Sequence, residues 1–203
     1  MRPCGGQGSF SGDDDHDVVL SPAGRVGNVA RVARDGRDEH QRSGGVAPPR
    51  IARFSDEQTL EVLRTMNAGL VEQARLAQGR ATDPAVRSYA EATLREHSEA
   101  DAVASDIGVR NKLWMTASPL SHSIQSSANK TASVLAAQAD YAFDRAYIES
   151  QVREHQAMLE AIDSTIMPSV TTGDLRALAQ TTRNQIAHRL NAARDLERQI
   201  RGR

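Results

Sequence analysis

The sequence predicts an all-α fold, a four-helix bundle built as two helical hairpins joined by one long crossover. Three observations carry this. Apolar residues recur at spacings of three and four in four separate stretches. The first and last pairs of these stretches are joined by short turns, whereas the middle pair is separated by the long segment from Gly108 to roughly Asp140. No stretch shows the period-two alternation or the β-branched runs of a strand. A single long crossover between two hairpins is the ferritin-like connectivity, whereas three short loops would make a simple up-down bundle.

The first 54 residues read as a disordered tail. They are rich in Gly, Arg and Asp, and end near Val46-Ala47-Pro48-Pro49. Such a composition buries too little apolar surface to offset its ordering entropy. Within it, Asp13, Asp14, Asp15, His16 and Asp17 form an acidic run, read as solvated. The bundle is expected over residues 55–203. Ser55 and Gln58 form a capping-box pattern ahead of Leu60, Leu63, Asn67, Leu70, Val71, Ala74 and Ala77, with Gly79 as the stop. Gly69, inside that helix, implies a close approach by a neighbour.

Asp83 and Pro84 open the second helix as N-cap and first residue. Its stripe is Val86, Tyr89, Ala90, Thr93, Leu94, His97, Ala100, Ala104 and Ile107, ending at Gly108. The crossover holds Trp114, Pro119 and a short helix around residues 124–135. The third helix begins near Asp140 or Asp144 and stops at Pro168. Ile148, Val152, His155, Leu159, Ile162 and Ile166 lie on one stripe of it. The last helix, with Asp174 in its first turn, carries Leu175, Leu178, Ala179, Ile186, Leu190, Ala193, Leu196 and Ile200.

Composition narrows the functional classes. A net charge of −1 and 3% aromatic residues argue against nucleic acid as a partner. One cysteine, Cys4, permits neither an intramolecular disulfide nor a paired-cysteine zinc site. Nothing reaches the length of a transmembrane span. The N-terminus as written lacks the hydrophobic core of a signal peptide, which points to the cytoplasm. Protein partners stay open, with a homodimer among them. Gly-x-Ser-x-Gly, a phosphate-cradling glycine loop and the dinucleotide fingerprint are all missing, so no catalytic residue is assigned.

Gly69 to Ala77, Val86 to His97, Phe143-Asp-Arg-Ala-Tyr147 through His155, and the His188 region together resemble the bacterial family known as domain of unknown function 4142. The resemblance spans about residues 55–200. It implies a ferritin-like domain of the cell envelope or periplasm, often labelled an outer-membrane protein, with no reaction attached.

Two histidines, His97 and His155, occupy positions where the stripes call for aliphatic residues. A ferritin-like di-metal centre needs Glu-x-x-His pairs. The residues three before His97, His155 and His188 are Leu94, Val152 and Gln185, so a carboxylate-bridged centre is not expected. Two readings remain. His97 and His155 are core histidines satisfied by Asn67, Gln151, Tyr89, Tyr147 or a backbone carbonyl. Alternatively they hold a single transition-metal ion, with Glu72 or His188 as the third ligand and Asp144 or Glu154 as further donors. Glu72 and His188 sit away from their helices' apolar stripes, and Glu154 and Glu96, next to the histidines in sequence, are expected to point away from them.

Overall fold

The computed structural model describes residues 53–202. The tail region, with Cys4, the acidic run and His40, lies outside the described residues. Among the described residues every regular element is helical. The first hairpin is α1 (Asp56–Arg80) and α2 (Pro84–Asn111). The crossover carries α3 (Pro119–Ala136). The second hairpin is α4 (Asp140–Ala161), a π-helical turn (Ile162–Ile166), the one-turn α5 (Met167–Ser169) and α6 (Gly173–Arg201). No helix of these is long and apolar enough to cross a membrane.

The two hairpins clasp each other reciprocally. Asp56, at the start of α1, accepts the Thr171 and Thr172 backbone N–H groups at 2.8 Å each, and both threonine hydroxyls. Asp144, in the second turn of α4, accepts the Thr82 and Asp83 backbone N–H groups at 3.0 and 2.8 Å, and the Thr82 hydroxyl. Each carboxylate thus satisfies orphan donors ahead of the other hairpin's second helix. Two arginines repeat the pattern. Arg87 and Arg176 each donate to a loop carbonyl six residues earlier, of Ala81 and Val170.

These clasps make α1 and α4 antiparallel, so α4 starts at the opposite end of the bundle from where α2 stops. The crossover must therefore travel the length of the bundle, and the 18 residues of α3 supply about 27 Å of it at 1.5 Å per residue. This helix is longer than the short piece expected at 124–135. Its start is a capping box, Ser118 with Ser121, with Pro119 at the first position. Serine in place of the usual Glu or Gln conceals that signal in the sequence.

Packing also corrects three helix ends. The first helix continues past Gly79 to Arg80, whose guanidinium donates to the Ala136 carbonyl at 2.8 Å and the Gln138 carbonyl, tying it to the end of α3. The second continues past Gly108 to Asn111 and closes through Lys112 in the left-handed region, φ 54°. Gly108 is needed for approach instead: a Cβ there would lie 2.9 Å from Leu60 Cδ2. Helix α4 does not stop cleanly at Pro168. It widens from Ile162, and the Met167 N–H bonds the Ile162 carbonyl. A proline has no N–H to give and crowds the carbonyl four residues back, so the preceding turn loosens.

The first helix is the most enclosed, packed by α2, α3 and α4. Its buried set therefore exceeds the expected stripe and adds Val62, Met66 and Gln73. Gly69 lies under α3, where a Cβ would meet the Ala128 Cβ at 2.8 Å. Gly69→Ala should lower stability by about 1 kcal/mol in urea unfolding: overpacking of about 1–3 kcal/mol outweighs a helix-propensity gain of about 1 kcal/mol. Adding Ala128→Gly should restore the loss, and an unchanged double variant would refute the contact.

Candidate functional site

The apolar core is split into two clusters. One gathers Leu60, Leu63, Met66, Leu70, Ile162, Ile166 and Ile186 towards one end. The other gathers Val86, Tyr89, Leu135, Phe143, Tyr147 and Ile148 towards the other. Between them runs a belt of buried polar side chains: Asn67, Gln73, Thr93, His97, Gln151, His155, Thr182 and Arg189.

His97 on α2 and His155 on α4 face each other at its centre. They are 2% and 0% exposed, and their ring centres lie 5.7 Å apart at 62°. Each ring is held through Nδ1. His97 Nδ1 meets Asn67 Oδ1 at 2.9 Å, and His155 Nδ1 meets the Gln151 carbonyl oxygen at 2.8 Å. A carbonyl oxygen only accepts, so both Nδ1 atoms carry the proton and both Nε2 atoms are bare acceptors. Neither Nε2 has a hydrogen-bond partner among the described residues. Burial pushes the His97 pKa down to about 3, helped by the nearby His155 and Arg189. Burial likewise brings His155 down to about 4. Both imidazoles are neutral at pH 7.

The belt continues to either side. Gln151 Nε2 donates to Gln73 Oε1 at 2.9 Å, and Gln73 Nε2 donates to Glu154 Oε2 at 2.8 Å. Glu154 therefore lies half-buried on the flank of α4 that faces α3, not at the histidine pair. The reason is α3, which covers that flank of α4 and gives the helix a second buried side. Burial raises the Glu154 carboxyl above its ordinary value. On the other side Arg189, nearly buried, grips Glu96 with two parallel hydrogen bonds. That bidentate contact holds the Glu96 carboxyl below its usual range. The Tyr89 hydroxyl donates to the Arg189 carbonyl at 3.3 Å.

Of the residues singled out in the sequence, His97 and His155 are brought together as expected. Glu72 and His188 are exposed, on the outer faces of α1 and α6, and do not join them. Asp144 is engaged with the Thr82 turn. Of the other histidines and methionines, His122 on α3 is exposed and Met158 on α4 is buried in the core. Among the described residues no three His, Cys, Asp or Glu side chains gather as a metal cage. Three features escaped the sequence reading: the Gln151–Gln73–Glu154 chain, the Arg189–Glu96 pair and the two clasps. The clasps had a signal, because Thr82 to Arg87 and Thr171 to Arg176 are matching turn-and-arginine segments, one per hairpin.

The sequence profile of DUF4142, a domain of unknown function, matches residues 41–196. The chain belongs to the DUF4142 family. No curated protein matches it. A crystal structure of a DUF305 protein from Streptomyces coelicolor, inferred to be secreted, is similar in fold to this DUF4142 domain. It has a TM-score of 0.59 at 13% identity, and the match covers 72% of this chain and 96% of that one. At that identity the likeness speaks for the helical bundle alone.

Proposed function

We propose that this chain is a non-enzymatic helical domain of the bacterial cell envelope, with a binding or accessory role. One observation supports it above the others. The reactive side chains of the interior are committed to architecture: His97 to Asn67, His155 to Gln151, Asp144 to the Thr82 turn and Glu96 to Arg189. The ferritin-like connectivity, with two hairpins and a crossover, suits a rigid scaffold of this kind. Fractionating the native bacterium with a C-terminal epitope on this protein should place the signal in the envelope or medium. A wholly cytoplasmic signal would overturn the location.

The two bare Nε2 atoms favour a second reading, a single transition-metal ion held between His97 and His155. Metal-binding histidines characteristically donate the other ring N–H to a carbonyl oxygen, as both do here. Two imidazoles on one ion place their ring centres about 5 Å apart at a tetrahedral angle and about 6 Å when nearly linear, given metal–nitrogen bonds of about 2 Å, and the 5.7 Å observed lies between. A third protein ligand would have to come from groups other than Glu72 and His188. The test is elemental analysis of the purified protein beside His97→Ala and His155→Ala. This reading expects about one ion per chain that both variants lose, and equal content in all three proteins would exclude it.

A further inference from the structure

We infer that the groove at the α1–α2 end of the bundle is a binding site for a single-chain anionic amphiphile, an acyl chain ending in a carboxylate or phosphate. The groove has a volume of about 460 Å³ and lies between the start of α1 and the closing turn of α2. That is the scale of small-molecule sites, which run from about 300 to 1,000 Å³. Leu60, Gly108, Val109, Leu113, Trp114 and Met115 give it apolar walls.

Three features, two of them at Lys112, point to what it holds. First, apolar surface is displayed here that the fold does not use. Trp114 is 82% exposed, Val109 78% and Met115 50%. Second, the rim carries one cation with no partner. Arg64 lines the groove but is bound bidentately by Asp101 at 2.8 and 3.1 Å. The Lys112 ammonium has no hydrogen bond or ion pair among the described residues. Third, Lys112 sits where a lysine is disfavoured. It closes α2 in the left-handed region, and the Leu113 N–H bonds the Gly108 carbonyl at 2.9 Å across it. Glycine is the usual residue at such a helix end. Asp140 is the other non-glycine residue with positive φ among those described, and aspartate tolerates that region better. An unpaired lysine beside apolar walls fits a ligand with a negative head and a hydrocarbon tail. Gly108 shapes the floor, since any side chain there would displace Leu60.

The chain's single tryptophan lies in the groove, so its emission reports occupancy without a label. Full-length protein is titrated with dodecanoate and with dodecyl phosphate, both below their micelle concentrations. Each should shift Trp114 emission to the blue and saturate at one molecule per chain. Dodecyltrimethylammonium should bind at least about fivefold more weakly, the size of an exposed charge contact. Lys112→Gln should weaken dodecanoate by about fivefold on the same scale. Lys112→Gly should weaken it equally while raising Tm by about 2–4 °C, because glycine relieves the backbone cost. Equal affinity for the cationic amphiphile, or unchanged affinity in both lysine variants, would overturn the inference. So would an emission shift seen with phosphatidylglycerol vesicles but not with free dodecanoate, which would make the patch a membrane contact.

Discussion

Replacing Asp144 with alanine should lower the unfolding free energy by about 3–4 kcal/mol, and Tm by roughly 10 °C. The carboxylate is fully buried and accepts three donors, two backbone N–H groups and one hydroxyl, at the entry to α2. Alanine leaves those donors dry and unpaired. Each hydrogen bond to a charged group contributes about 1.5–3 kcal/mol, and neighbouring bonds to one carboxylate add less than fully. The matching clasp provides the control. Asp56 takes an equivalent set of donors from Thr171 and Thr172, but at the surface. Burial would raise its pKa, yet the threonine hydrogen bonds outweigh that and hold it below the ordinary carboxylate value. Solvent screens such a contact, so Asp56→Ala should cost at most about 1 kcal/mol. Similar losses in the two variants, measured by urea unfolding at pH 7, would show that burial does not set the strength of the clasp.

The second large effect is acid sensitivity. Above about pH 7.5 the two belt histidines are neutral whether the chain is folded or unfolded, and they add no pH dependence. Below pH 6.5 the unfolded chain takes up two protons that the folded chain refuses, because the folded values are about 3 and about 4. Stability therefore falls as pH falls. Two such groups give a slope approaching about 2.7 kcal/mol per pH unit between roughly pH 6 and pH 4. A domain with about 5–15 kcal/mol of stability should be close to unfolding near the lower end. Glu154, raised by burial, acts with the opposite sign above its ordinary value and offsets part of the slope. Glu96 and Asp56, whose folded values are lowered, add their own loss only at more acid pH. Unfolding series at pH 7, 6, 5 and 4 read the slope directly. His155→Leu should halve it and leave stability at pH 7 equal or higher, since it removes a buried acceptor without a partner. A flat profile in the unsubstituted protein would mean that the rings reach water.

The pattern of apolar residues carried most of the fold. Nearly every stripe position of α2 and α6 is buried, and both expected N-caps, Ser55 and Asp83, accept the hydrogen bonds proposed for them. Helix ends were less legible. Gly79 and Gly108 look like stops, but Arg80 finds carbonyls on α3 and Gly108 finds Leu60, and both partners come from other elements. The crossover helix was underestimated because its cap is built from two serines. The histidine pair was legible, because an imidazole in an aliphatic stripe stands out against period 3.6. Its surroundings were not. Glu154 is half-buried only because α3 covers its flank of α4, and the exposed Glu72 and His188 could be placed away from the pair only by angular reckoning along a helix.

By itself the sequence determined the helices, their pairing into two hairpins and the presence of two imidazoles indoors. Those features depend on side-chain spacing along one chain segment, which local geometry converts into a face. The tertiary structure decided which polar atoms are satisfied. It gave Asp144 a turn to hold, left both Nε2 atoms bare, and set Lys112 beside an open apolar groove. Such outcomes depend on distances between segments far apart in the chain, and a periodic pattern holds no information about those.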